Sequence, residues 1–264
     1  MPVFLCDTNR VMAVTMGFCR IFQSFVTLFV RIDVRKDIKI MRKGKICLKT
    51  GIFMMALFVV WTMLIQTVDV QSAGQYGAEV GFATFNSWFH QLTGVHMVIY
   101  TMTDWLGLVP VFICLVFGTI GLIQMIKRKS LIKVDLDIIL LGIYYVLVIF
   151  GYLIFEMIPI NYRPILIEGR MEASYPSSTT LLVLNVMPTL CLQVKYRIQN
   201  IKVKTVINLL TMLFTLFMVI GRLISGVHWF TDIVGAVFLS TGLYSIYQAA
   251  VLLYCRKENE PEVL

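Results

Sequence analysis

The chain has 264 residues, 58% of them apolar and 14% charged, and its mean hydropathy is +0.82. That balance excludes a water-soluble globular domain and fits a chain that crosses a membrane several times. The net charge of +8 does not point to nucleic acid. Its lysines and arginines lie in short clusters between apolar stretches, where the positive-inside rule puts cytoplasmic loops.

Residues 1–40 stand apart. Val11–Val30 is apolar, but Arg20 sits at its centre, which costs roughly 2.5–3.5 kcal/mol on insertion scales. No basic run precedes the stretch and no small-residue cleavage site follows it, so it does not read as a secretory signal. Two expectations stay open: an amphipathic segment lying on the surface, or an extension upstream of the true start. Met41-Arg-Lys-Gly-Lys reads as the cytoplasmic approach to a first span. No linker divides the remainder, and residues 41–264 are expected to form a single membrane domain.

Six stretches are long and apolar enough to span, or nearly so. They lie near Gly51–Val68, Leu106–Ile126, Leu136–Ile158, Thr180–Val194, Thr205–Ser225 and Ile233–Tyr254. The expected fold is therefore an all-α polytopic helical bundle with about six transmembrane helices. The fourth stretch is short and contains Asn185 and Pro188, which a membrane tolerates when neighbouring helices satisfy the freed polar groups. Basic clusters precede the first span (Arg42, Lys43, Lys45, Lys49) and follow the second (Lys127, Arg128, Lys129, Lys133). Others follow the fourth (Lys195, Arg197, Lys202, Lys204) and the last (Arg256, Lys257). With six spans all these ends share one side, which the rule makes the cytoplasm. The opposite side carries only Arg163, Arg170 and Arg222.

The first outer segment, Asp69 to Trp105, has no Lys or Arg. Within it, Phe82–Leu92 places aromatics at helical spacing. That predicts either an interfacial amphipathic helix lidding a site or a helix packed on the spans. The six cysteines include no C-x-x-C pair, which argues against a disulfide framework or a zinc site.

Three clusters fall on the outer side: Asn161-Tyr-Arg-Pro164, Ser174-Tyr-Pro-Ser-Ser-Thr179, and Arg222-x5-His228-x3-Asp232. Each has a plain structural reading alone, as an Arg-Pro turn, a serine helix cap and a polar cap. Together, in order and on one face, they point to one site. A histidine and an aspartate four apart share a helix face, so the carboxylate can hold the imidazole. Arginine supplies a fixed positive fork for an oxyanion. The set reads as phosphate chemistry at a bilayer surface.

The arrangement resembles the type-2 phosphatidic acid phosphatase superfamily of integral membrane lipid phosphatases. That family's motifs are Lys, six residues, Arg-Pro; then Pro-Ser-Gly-His; then Ser-Arg, five residues, His, three residues, Asp. Arg163-Pro164 matches the end of the first, Pro176-Ser177 opens the second, and Arg222, His228 and Asp232 match the third, with Gly221 in place of serine. The resemblance implies that His228 attacks phosphorus and carries a phosphohistidine. Asp232 would orient it. Arg163 and Arg222 would clamp the nonbridging oxygens, with Ser177, Ser178 and helix-start amides adding donors. Positive charge comes from the arginines, so neither a metal nor another cofactor is expected. The implied partners are a lipid phosphate or diphosphate and the bilayer. The expected location is the cell membrane, multi-pass, with the active site extracytoplasmic.

Two departures matter. The first-motif lysine is absent, and Glu156 stands nearby, expected to pair with Arg163 or Arg170. The second-motif histidine, which in the family protonates the leaving group, is Thr179. A threonine hydroxyl donates a hydrogen bond but gives up no proton near neutral pH. General acid catalysis contributes roughly 10²–10⁴-fold, or about 3–5 kcal/mol of barrier. An alkoxide leaving group feels that loss fully, whereas a phosphate monoester, with its second pKa about 6, leaves with little help. The reading therefore favours polyprenyl diphosphates over phosphatidic acid. His90 and His96 are the only other histidines that could supply a proton. The alternatives are a catalytically weak or silent relative that binds phospholipid headgroups, and a lipid phosphotransferase.

Overall fold

The computed structural model describes residues 38–254, with side chains from Met41. The expectations for residues 1–40 and the basic pair Arg256 and Lys257 lie outside the described residues. The described chain forms helices α1 (Ile38–Thr67), α2 (Ala83–Thr93), α3 (Met97–Leu106), α4 (Leu108–Arg128) and α5 (Leu136–Met157). It continues through α6 (Ser178–Arg197), α7 (Ile201–Ile224) and α8 (Phe230–Tyr254). No named strand occurs among the described residues; only isolated β-bridges do.

Among the described residues, five helical stretches are long and apolar enough to cross a membrane: α1, α3 with α4, α5, α7 and α8. The chain is a multi-pass membrane protein. Helix α6, the fourth predicted span, fails the hydropathy test for a physical reason. It packs against α4, α5, α7 and α8, so its side chains meet protein rather than lipid and can be polar. At 20 residues it is still about 30 Å long, the thickness of the hydrocarbon core. Asn185 donates to the Leu181 carbonyl at 2.6 Å and to Ser240 Oγ at 3.0 Å, and accepts from Tyr144 at 2.6 Å. Thr189 shares a 2.7 Å hydrogen bond with Tyr145. Neighbouring helices thus satisfy the polar groups that weakened its sequence signal.

The second span starts earlier than expected. All of α3 except Leu106 falls in the predicted outer segment, yet α3 is helical and runs almost directly into α4 across Gly107. Pro110 falls in the first turn of α4, where its missing N–H costs nothing. Helix α3 lies against α7. This contact depends on Gly221, where a Cβ would come within 2.7 Å of Thr103 Cγ2. Helix α1 pairs antiparallel with α8, with Cys47 near Gln248 at one end and Trp61 donating to the Thr231 carbonyl at the other. Cys47, Cys114 and Cys191 are free thiols.

The bundle's two ends differ in chemistry. At one, Arg128 pairs with Asp135 at 2.8 Å and Arg197 with Asp137 at 2.6 Å. The other gathers the three sequence clusters. There α2 packs on the start of α8: Phe85 and Phe89 meet the Phe230 ring, and Asn86 donates to Thr231 at 2.9 Å. Of the two readings of Phe82–Leu92, packing on the spans describes these contacts.

The buried amide at position 185 ties α5, α6 and α8 together. Asn185→Ala is expected to destabilise the bundle by about 1–2 kcal/mol, read as a lowered unfolding temperature in detergent. Thr119→Ala, which removes only an exposed hydroxyl bonded to its own helix, should leave that temperature nearly unchanged.

Candidate active site

Each element presents one part of the site. The loop from α5 to α6 folds back on itself: Tyr162 and Ala173 bridge, Arg163 N–H donates to the Glu172 carbonyl, and Ser174 N–H donates to the Asn161 carbonyl. Trp229 Nε1 donates to the Tyr162 carbonyl at 2.8 Å and fastens this ribbon to the turn before α8. The ribbon thereby carries Arg163 and Ser174 to the same place. Helix α7 delivers Arg222 in its last turn. The turn between α7 and α8 needs Gly226, whose φ is +71° and where a Cβ would lie 2.1 Å from the Gly94 carbonyl oxygen. That close approach sets His228 beneath the α2–α3 connection.

The two guanidinium groups converge. Arg222 lies 4.9 Å and Arg163 5.8 Å from the centroid of the same Tyr100 ring. Arg163 pairs with Glu172 at 3.1 Å, so its acidic partner is not the expected Glu156. The Arg222 NH2 group donates to Asp104 at 2.8 Å and also to the Thr179 hydroxyl. Five buried nitrogens on three residues have no hydrogen-bond partner: Nε and NH1 of Arg163, Nε and NH1 of Arg222, and Nε2 of His228. Buried donors are almost always satisfied. Two such forks and one bare imidazole nitrogen are groups that an oxyanion could satisfy.

His228 and Asp232 do not touch as the i, i+4 spacing suggested. Their nearest atoms are 3.9 Å apart, beyond hydrogen-bond range. Ser174 stands between them. Its hydroxyl donates to Asp232 Oδ2, and its carbonyl and hydroxyl oxygens both lie 3.2 Å from His228 Nδ1. A carbonyl oxygen only accepts, so Nδ1 carries the proton and Nε2 keeps its lone pair. Asp232 is further held by Asn161 at 3.3 Å and by the Trp229 N–H at 2.9 Å. The last contact caps α8, where the helix N-terminus also favours negative charge.

The remaining candidates separate. Thr179 is on the site through Arg222. The Ser177 hydroxyl donates to Thr180 at 3.0 Å, and its backbone N–H to the Asp232 carbonyl at 3.3 Å, so its side chain braces the helix start. Ser178 and Thr179 rim a cleft of about 280 Å³ that Asp104 also lines. Leu108, Val148, Ile149, Leu181 and Leu182 give the cleft apolar walls. His90 bonds the Gly226 carbonyl at 3.0 Å and His96 the Thr93 carbonyl at 2.9 Å, so both hold loops. Sequence reasoning missed Tyr100 and Asp104, and gave Ser174 no role although it opens the second cluster. Asp104 left a signal as a lone acid in an apolar run. Among the described residues no three His, Cys, Asp or Glu side chains group as metal ligands.

Residues 143–251 match the model of the PAP2 superfamily, a stretch that contains Arg163, Ser174–Thr179, Arg222, His228 and Asp232. The match covers 109 of the 264 residues. No curated protein sequence gives a significant match. The fold resembles the crystal structure of the first transmembrane PAP2 type phosphatidylglycerolphosphate phosphatase from Bacillus subtilis, with a TM-score of 0.55 and 14% identity over 81% of this chain and 99% of that one. The PAP2 segment thus supplies every residue that the motifs single out, while α3, outside it, supplies Tyr100 and Asp104.

Burial first, then the charges of Arg163 and Arg222, hold the His228 imidazole well below its ordinary value of 6.5. The folded protein therefore binds this proton more weakly than the unfolded chain. Stability from this group is complete above about pH 6.5 and declines as acid protonates the unfolded state. In an NMR titration of the three histidines, one imidazole should stay neutral well below pH 6.5. In Arg163→Ala its midpoint should move up. Three ordinary midpoints would contradict the assignment.

Proposed function

We propose that this protein hydrolyses a phosphate ester or diphosphate of a lipid through a phosphohistidine on His228, and that diphosphates of the polyprenyl type are its preferred substrates. The observation that carries the proposal is the set of five unpartnered nitrogens on Arg163, Arg222 and His228. Four belong to guanidinium groups suited to nonbridging phosphate oxygens. The fifth is the lone pair that attacks.

The chemistry follows from these atoms. The two arginines neutralise the equatorial oxygens, where charge is held through an in-line displacement. Nε2 bonds phosphorus as the lipid leaving group departs, and the Nδ1 proton stays on the ring. The resulting imidazolium is stabilised through Ser174 by Asp232, a pairing in which the carboxylate acts through an intermediate hydroxyl. Water then attacks the phosphohistidine and regenerates the imidazole. The arginines supply the positive charge that a metal ion provides in other phosphatases.

The apolar cleft supports a lipid substrate. Its walls suit a hydrocarbon chain, and its polar rim of Asp104, Ser178 and Thr179 adjoins Arg222. The preference for diphosphate rests on Thr179, which has no proton to give an alkoxide. The distribution of basic clusters supports an extracytoplasmic site, opposite the ion pairs of Arg128 and Arg197.

The decisive experiment is phosphate release by purified protein from a polyprenyl diphosphate and from phosphatidic acid. The diphosphate should be hydrolysed faster, and His228→Ala should abolish both activities. Thr179→His should raise the monoesterase rate selectively, by up to roughly 10²-fold. A preference for phosphatidic acid would overturn the substrate assignment. Activity surviving in His228→Ala would overturn the mechanism. Headgroup binding without turnover would identify a silent relative instead.

A further inference from the structure

Resting on that reading, the geometry points to Asp104 as the general base that activates water in the second half of the reaction, and we propose it as a catalytic residue.

The argument begins with direction. In an in-line displacement the incoming water reaches phosphorus from the side opposite Nε2, the side the leaving group has vacated. The leaving group is the lipid, and the apolar cleft is the place for it. Water therefore enters from the cleft rim, and the group that takes its proton must lie there.

Few groups on that rim can accept a proton. Ser178, Thr179 and Tyr152 carry hydroxyls, and Thr179 already accepts from Arg222. His90 and His96 are bound to backbone carbonyls away from the cleft. Glu172 is a carboxylate, but it pairs with Arg163 and does not line the cleft. Asp104 meets both conditions. It lines the cleft, and it shares the Arg222 NH2 group with Thr179 at 2.8 Å. Its side chain is 57% exposed while that of Arg222 is 2% exposed, so it is open to the cleft and touches the buried fork at once.

Its placement follows from the helix contact described above. Thr103 packs where Gly221 has no side chain. The next residue on each helix is then Asp104 on α3 and Arg222 on α7, and these two meet. A side chain at 221 would push α3 away and separate them.

The step balances. Asp104 takes one proton from water as the water oxygen bonds phosphorus. The P–Nε2 bond breaks and its electron pair returns to the imidazole. Phosphate leaves, and the exposed carboxyl returns its proton to solvent. No such base is needed in the first half, where a phosphate monoester departs from the diphosphate unaided. Losing Asp104 should therefore block the reaction after the phosphohistidine has formed.

The test uses farnesyl diphosphate radiolabelled on its terminal phosphate, with wild type and Asp104→Asn. Samples are quenched in alkali, where phosphohistidine survives. Asp104→Asn should form labelled protein at close to the wild-type rate and accumulate it, while turnover falls roughly 10²–10⁴-fold. Formate added to Asp104→Ala should restore part of the turnover, which a purely structural role would not allow. Turnover near the wild-type rate in Asp104→Asn would overturn the proposal. So would failure of that variant to form labelled protein when wild type does, or accumulation in Glu172→Gln instead. If wild type itself forms no labelled protein, the phosphatase reading fails first and this inference falls with it.

Discussion

Two like charges placed side by side at a membrane boundary are the constraint around which this end of the bundle is built. Arg163 and Arg222 flank one Tyr100 ring, and burial removes much of the water that would screen their repulsion. Each is partly offset by a carboxylate, Glu172 or Asp104, and by the ring face. The offset is incomplete, because four guanidinium nitrogens remain unpaired. An oxyanion bridging the two forks would supply the missing charge and the missing acceptors together. Residues from the α5–α6 ribbon, α3, the end of α7 and the start of α8 all contribute to this one place.

The second feature is the way the His228 imidazole is oriented. A direct carboxylate–imidazole contact would need only two residues on one helix. Here the pair is separated, and Ser174, from a loop more than 50 residues earlier in sequence, fills the gap. The arrangement makes the tautomer of His228 depend on the ribbon that also carries Arg163. Arg163 and His228 are thus positioned by the same backbone hydrogen bonds, between Asn161 and Ser174 and between Arg163 and Glu172. Thr179 and Asp104 then divide two tasks on the cleft side: the hydroxyl braces Arg222, and the carboxylate faces water.

Much of this was legible in the chain because hydrophobic length and charge placement are strong signals in membrane proteins. The spans around Leu136–Ile158 and Ile233–Tyr254 coincide closely with α5 and α8. Arg163, Arg222 and His228 were picked out from residue type and spacing, and the two guanidinium groups lie near one Tyr100 ring. The misses have physical causes. Helix α3 carries Thr101, Thr103 and Asp104 among its apolar residues, so its membrane signal was diluted and Asp104 fell in the predicted outer segment. The Glu172 partner of Arg163 follows from a reversal of the chain that no helical period encodes. Ser174 acts through its backbone carbonyl as much as its hydroxyl, and a backbone group has no sequence signature. The His228–Asp232 spacing predicted a contact that the helix start prevents, because Asp232 turns back to cap Trp229.

The central claim, that Arg163, Arg222 and His228 together form a receptor for a tetrahedral oxyanion, is tested most directly by the unfolding temperature of the purified protein with increasing orthovanadate. Binding to the folded state alone must raise that temperature by mass action. The account predicts a saturable rise in wild type that disappears in both Arg163→Ala and Arg222→Ala. No rise in wild type, or an equal rise in the two variants, would contradict it.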